Sequence, residues 1–291
     1  MLNGVSEQTA GARSRGFENS SAQFMPIDAS RIGFPRPAAL RPALTLGRQN
    51  DVEIAPVARP HHAVVKTDCA HCSTRDLCMP AELRAKNPEK LNDAFGHSRK
   101  VGRGEAIYRV GDAFNNLYVT RAGSSKTVAM HRDGREQITG FQITGEFLGM
   151  EGVGSGKHMI DAIALEDSVV CAIPFKALEA LGEQDRDFQH HLHKIMSREI
   201  VRESALLMLM GSMSAEERVA AFLMNLSKRY QDRGYSPAQF HLRMTREEIG
   251  CHLGLKLETV SRMFSRLQQR GLIDTHGKQI RILDIEGLAN V

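Results

Sequence analysis

The chain has 291 residues, of which 42% are hydrophobic and 25% charged, with a formal net charge of +4. That length suits about two domains, and no run approaches the roughly 18 consecutive apolar residues of a membrane helix. The N-terminus carries no apolar core of a secretory signal, and so small a net charge means that any affinity for nucleic acid must come from local placement of cations.

Residues 1–62 hold six of the ten prolines and show no hydrophobic period. Such a segment buries too little apolar surface to offset its ordering entropy, which predicts a disordered tail. Residues 63–98 form a cysteine arm in which Cys69-x2-Cys72-x5-Cys78 places three of five cysteines within ten positions. Pro80-Ala-Glu-Leu then opens a short helix, with proline near its first turn. An odd cysteine count and a tight cluster argue against a disulfide framework and for a reducing compartment, so a cytoplasmic protein is expected.

From 99 to 178 the rhythm changes. Short apolar runs such as Asn116-Leu-Tyr-Val-Thr, Gln137-Ile-Thr-Gly-Phe and Ser168-Val-Val-Cys-Ala-Ile are punctuated by Gly111, Gly123, Gly134 and Gly145. Short strands at that spacing predict a β jelly roll, with Pro174 closing the last strand. A long helix follows within 179–212, from about Arg186 to Met210. Its apolar positions Met196, Ile200, Leu207 and Met210 form a stripe interrupted by Glu203. The stripe suits either core packing or a two-helix seam. An acid inside it points to a dimer interface of limited stability, with Ile200 and Glu203 as the switch: two copies of Glu203 drawn together would repel and resist desolvation.

Residues 213–291 carry 12 basic and 9 acidic side chains. Ser214-Ala-Glu-Glu217 and Thr245-Arg-Glu-Glu248 are capping boxes that start helices. Gly254 supplies a turn, and the next helix runs from about Leu257 to Arg270, with Val260, Met263 or Phe264, and Leu267 inward. Its opposite face presents Glu258, Ser261 and Arg262 in the first turns, where a helix-turn-helix meets base edges. Arginine suits guanine, glutamate suits cytosine N4, and serine suits either edge. Lys256, Arg266 and Arg270 are expected to meet phosphates. Leu272 to Ile282 reads as a hairpin turning at His276-Gly277, the wing of a winged helix.

Thiolates suit zinc, copper(I) or iron–sulfur clusters. Zinc sites usually show paired short spacings, and one Cys-x2-Cys is present here; His61 or His62 would complete a Cys3His site. A fourth thiolate has two candidates, Cys171 and Cys251. No nucleophile–base constellation or nucleotide loop stands out, so an enzyme is not expected.

From about residue 67 to the C-terminus the chain resembles the fumarate and nitrate reduction regulator group of the cyclic-AMP receptor protein superfamily. The stretches that carry the resemblance are Asp68-Cys-Ala-His-Cys-Ser-Thr-Arg-Asp-Leu-Cys-Met-Pro, Glu136-Gln-Ile-Thr-Gly-Phe, Gly152-Val-Gly-Ser-Gly, Val170-Cys-Ala-Ile-Pro-Phe, Ala215-Glu-Glu-Arg and Leu255-Lys-Leu-Glu-Thr-Val-Ser-Arg. The resemblance implies an α+β chain: a jelly-roll sensor domain, a dimerisation helix and a C-terminal winged helix-turn-helix. It implies that Cys69, Cys72, Cys78 and Cys171 ligate one oxygen-labile [4Fe–4S] cluster, leaving Cys251 without a ligand role. Ser73 and Leu77 fall where the family tunes oxygen access. Glu258, Ser261 and Arg262 match its base-reading residues, for palindromic sites of the TTGAT…ATCAA kind, and RNA polymerase is an implied partner. The expected function is an oxygen-sensing regulator that dimerises when cluster-bound; a zinc- or haem-containing regulator sensing another ligand is the alternative. Cyclic-nucleotide binders carry an Arg-Ser pair after Gly-Glu-Phe-Leu-Gly. Here Gly145-Glu-Phe-Leu-Gly149 is followed by Lys157-His-Met-Ile-Asp-Ala, and Asp161 would repel a phosphate, so cyclic AMP is not expected.

Overall fold

A computed structural model describes residues 97–291 together with 65, 66, 69, 71–79, 81–86, 89, 93 and 95. The expected tail at 1–62, His61, His62 and Pro80 lie outside the described residues.

Nine strands build the roll among the described residues: β1 (Val65–Lys66), β2 (His97–Val101), β3 (Ala106–Tyr108), β4 (Asn116–Ala122), β5 (Ser124–Met130), β6 (Glu136–Ile143), β7 (Phe147–Leu148), β8 (Asp161–Ala164) and β9 (Ser168–Pro174). One sheet is ordered β1-β2-β9-β4-β7 and the other β3-β8-β5-β6. Val101, Ile107, Leu148, Ala162 and Val170 are buried in one cluster at their common core. The sequence expectation of a jelly roll on the α+β plan matches this architecture. It passed over β5, whose Ser, Thr and Lys residues interrupt any apolar run, and the four-residue β8 (Asp-Ala-Ile-Ala), yet β5 pairs with both β6 and β8.

Two short helices, α1 (Arg75–Cys78) and α2 (Ala81–Lys86), belong to the cysteine arm. After the roll, α3 (Phe175–Gln184) ends at Asp185, whose side chain accepts from Asp187 N and Phe188 N to start α4 (Arg186–Ser212). The expected boundary between 178 and 179 therefore falls inside α3, because Leu178 and Leu181 continue the roll's core. The cap at Asp185 is the physical break. Only Phe188 and Ile195 are buried along α4, both in its first half.

The C-terminal domain comprises α5 (Ala215–Gln231), β10 (Gln239–His241), α6 (Arg246–Leu253), α7 (Leu257–Gln269), β11 (Ile273–His276), β12 (Gln279–Ile282) and α8 (Ile285–Ala289). Both predicted capping boxes form. Gly254 takes the left-handed conformation (φ 66°, ψ 35°) that closes α6 and turns the chain into α7. Its three-stranded wing sheet, ordered β10-β12-β11, includes β10, which the hairpin reading did not anticipate.

Candidate functional site

Cys78 closes α1, and backbone bonds from Cys72 N to Cys69 O (3.3 Å) and from Arg75 N to Cys72 O (3.2 Å) coil the preceding turn around it. Cys171 sits inside β9, paired with Ser98 on β2 and Val119 on β4. The arm and the strand meet at a cavity of about 50 Å³ lined by Cys69, Cys72, Cys78 and Cys171, with Thr74, Arg75, Met79, Arg84, Phe95 and Val119. None of the five cysteines, all among the described residues, is in a disulfide.

Burial pushes the Cys78 thiol up to about 12, with further rises from Cys171 and Cys72, while Thr74 acts in the opposite direction. Burial likewise pushes Cys171 up to about 11, and Cys72 and Cys69 add to it. Burial and neighbouring thiols disfavour the charged forms of Cys78 and Cys171, a cost that a bound cationic metal would offset. Among the described residues, no three His, Cys, Asp or Glu side chains converge as ligands of a single metal ion. Of the two candidates for a fourth thiol, Cys171 faces this cavity. Cys251 lies elsewhere, on α6, where its Sγ accepts from Ile138 N and donates to Glu136 O, both at 3.3 Å. Ser73, between Cys72 and Thr74, is exposed, and Leu77 is half-buried against Gly145; neither lines the cavity.

His191 of α4 donates from Nε2 to Cys78 O at 3.3 Å, and Phe188 and Leu192 pack in the same apolar cluster as Cys69, Cys78 and Cys171. The long helix therefore touches the cysteine arm directly, a contact that the stripe reading did not reach. Farther along α4, Ile200, Val201, Leu207 and Met208 are 62–72% exposed, and Glu203 is exposed among them. These side chains leave an apolar row facing solvent.

On α7, Val260, Phe264 and Leu267 are buried, while Glu258, Ser261 and Arg262 are exposed on the opposite face. Lys256 is exposed at the N-cap. The other two expected phosphate contacts are engaged within the chain: Arg266 Nε and Arg270 Nη1 lie 3.1 and 2.6 Å from the Glu216 carboxylate on α5. An acid in the first turn of a neighbouring helix was not considered, and it changes what those two arginines must give up on meeting a phosphate.

The segment Lys157 to Ala162 is packed and bonded within the roll. His158, 1% exposed, stacks on Tyr108 with 3.7 Å between ring centroids, and its Nδ1 is 3.1 Å from Glu151 Oε1. Asp161 accepts from Val110 N at 2.7 Å and lies 3.7 Å from Arg109.

Comparison with known proteins matches residues 98–185 to the cyclic nucleotide-binding domain and residues 217–291 to the Crp-like helix-turn-helix domain. Transcriptional activator protein anr of Pseudomonas aeruginosa is 41% identical over 222 residues, covering 76% of this chain and 91% of that protein. The fumarate and nitrate reduction regulatory protein of Escherichia coli is 38% identical over 223 residues, covering 77% and 89% respectively. Among solved structures, FixK2 from Bradyrhizobium japonicum superposes with a TM-score of 0.61 at 30% identity, covering 66% of this chain and 95% of that one. With a roll, a long helix and an exposed recognition helix in that order, and relatives matched over most of their length, the chain belongs to the fumarate and nitrate reduction regulator group of the Crp/FNR transcription regulators and is not an enzyme.

Proposed function

We propose that the chain is a cytoplasmic, oxygen-sensing transcription regulator of anaerobic metabolism whose Cys69, Cys72, Cys78 and Cys171 hold one [4Fe–4S] cluster. The observation that carries this reading is the meeting of three thiols from the arm and one from β9 at a single cavity. The donor set fits: among the described residues, four soft ligands and no competing carboxylate line the space. An orphaned donor fits as well. Arg84 lines the cavity, and its Nε is buried without an acceptor among the described residues, a costly state that a sulfide or thiolate nearby would relieve.

When bound, the cluster supplies an inorganic core that oxygen destroys, and the remaining steps belong to the polypeptide. Cys171 anchors the arm's three ligands to the roll. His191 and Phe188 carry the arm's position into α4. There the seam of Ile200, Leu207 and Met210 would bury against a second copy while Glu203 is neutralised or moved aside. The dimer sets two α7 helices one DNA turn apart, with Glu258, Ser261 and Arg262 reading palindromic TTGAT-N4-ATCAA sites. Ser73 and Leu77 flank the ligands and govern oxygen's approach, and RNA polymerase is the partner downstream. The buried His158–Tyr108 stack and Asp161 support a roll that does not take cyclic AMP.

Iron and labile sulfide per chain, measured on protein prepared without oxygen, test the reading. Near-stoichiometric amounts, with a brown absorbance near about 400 nm that bleaches in air, are expected. Colourless protein holding zinc, or a sharp haem band, would replace it.

A further inference from the structure

Glu146, in the turn between β6 and β7, is 6% exposed. A carboxylate at that depth requires compensation, and here it comes from three guanidiniums on two other elements. Arg229 Nε and Arg233 Nη2 each donate to Oε1 at 2.9 Å, and Arg229 Nη2 reaches Oε2. Arg202 Nη2 lies 3.7 Å from Oε1. Arg229 and Arg233 belong to α5, the first helix of the DNA-reading domain, whereas Arg202 belongs to α4, beside Glu203. Burial raises the Glu146 pKa, but Arg229, with Arg202 and Arg233, outweighs it and holds the carboxyl below its usual range. The turn is also fixed to the roll: Ile143 N donates to Oε2 at 3.0 Å, Thr120 N to the Glu146 carbonyl at 3.0 Å, and Gly145 N to Thr120 O at 2.7 Å.

The same turn touches the cysteine arm. Gly145 has φ +85°, and a Cβ there would stand 2.6 Å from Leu77 Cδ1 and 2.7 Å from Leu77 Cβ. Only glycine lets the residue before Cys78 seat on the turn whose next residue holds both helices.

We propose that Glu146 is the positioning residue that sets the DNA-reading domain and the dimerisation helix against the roll, with Leu77 as the arm's contact on its turn. The orienting role stands on DNA reading alone, whereas the part given to Leu77 rests on the cluster reading above. Arg202 makes the arrangement bistable. Its Nη1 is 3.0 Å from Glu199 Oε2, so it is shared between the roll's acid and the acidic side of α4. Movement of the turn redistributes that cation at the edge of the seam, a contiguous route from arm to dimer interface.

The test uses the full chain prepared without oxygen, with iron and sulfide assayed on every sample. Glu146→Gln is expected to keep its iron yet bind a TTGAT-N4-ATCAA duplex at least about tenfold more weakly, since it strands buried cations. Its amide hydrogen exchange should rise at β6 and α6, where the domains meet, and remain unchanged in the β11–β12 hairpin. Glu146→Asp, which keeps the charge, should recover part of the affinity. Binding within about twofold of wild type with unchanged exchange overturns the proposal. So does a rise in exchange throughout the molecule, which marks a general loss of stability. For Leu77, the Thr120 and Gly145 amides should exchange more slowly in iron-containing than in iron-free wild type; equal rates remove Leu77 from the scheme. Wild type that holds no iron defeats the cluster reading, whereas exchange in that iron-free protein still decides the role of Glu146.

Discussion

Toward the DNA-reading domain, the roll is joined by a filled core and paired polar groups. Val128, Ile138, Phe141 and Leu165 share one buried cluster with Phe222, Leu223, Ile249 and Leu253, and Phe141 meets Phe222 and His252 edge-on at 6.0 and 5.1 Å. Gln137 Nε2 donates to Cys251 O at 2.6 Å, and Lys126 pairs with Glu248 at 2.9 Å. Toward the cysteine arm, the same roll leaves a cavity, half-buried thiols of raised pKa and an orphaned guanidinium nitrogen. The first junction is the more complete, its own side chains filling most of it, while the second has thiols and space that the proposed cluster would occupy. On the proposed reading, sensing belongs at the less complete junction, because a bound core can shift a population only where its presence changes the free energy.

Removing one ligand tests this contrast most severely. Cys171→Ala should abolish iron and sulfide binding and, with them, operator binding in oxygen-free protein. Amide exchange at β6 and α6 should stay as in wild type. Retained iron would show that the four thiols do not act together, and loosened β6 would show that the two junctions are not separable.

Phe222→Ala probes the more complete junction. Phe222 is 4% exposed and lies under both Phe141 and His252. Truncating a buried phenylalanine costs about 3–5 kcal/mol, so denaturant unfolding should register a loss of that order with no change in iron per folded chain. A loss below about 1 kcal/mol would mean that this interface is no better filled than the other.

Much of this contrast was legible in the chain, for definable reasons. The capping boxes at Ser214 and Thr245, the turn at Gly254 and the faces of α7 are local, and short-range patterns report them faithfully. Cys171 was legible as one of two candidates, since spacing says nothing about which strand faces the arm. Glu146 was hidden because its partners lie 56 to 87 residues away, at Arg202, Arg229 and Arg233, and nothing periodic marks them. Glu216, which engages Arg266 and Arg270, was hidden likewise: an acid in a helix's first turn looks the same whether or not distant arginines fold onto it.

The exposed apolar row of α4 comes next in expected effect. Glu203→Ala removes an acid from a row whose neighbours Ile200 and Leu207 are already solvent-facing. In cluster-free protein in air, the monomer–dimer constant should tighten by about tenfold or more, about 1.4 kcal/mol. Sedimentation showing the variant still monomeric at the concentrations where that shift would be visible removes Glu203 from the switch.

The smallest effect expected is a dependence of the more complete junction on pH. Burial lowers the pKa of His252 below 6.5; Arg229 acts in the same direction, and the bond from Nδ1 to Ile138 O, 3.1 Å long, offsets part of the shift. The folded form therefore binds its proton less readily than the unfolded chain. Stability from this group is fully present above about pH 6.5, begins to fall as pH drops below that value, and is lost once pH passes the depressed folded value. His252→Asn keeps a donor near the Ile138 carbonyl but has nothing to titrate. Denaturant midpoints of wild type and His252→Asn should run parallel above about pH 7 and diverge below about pH 6.5, with wild type losing stability faster. Parallel curves across the whole range would mean that His252 is protonated as easily in the folded junction as in water, and that the interface around it is not dry.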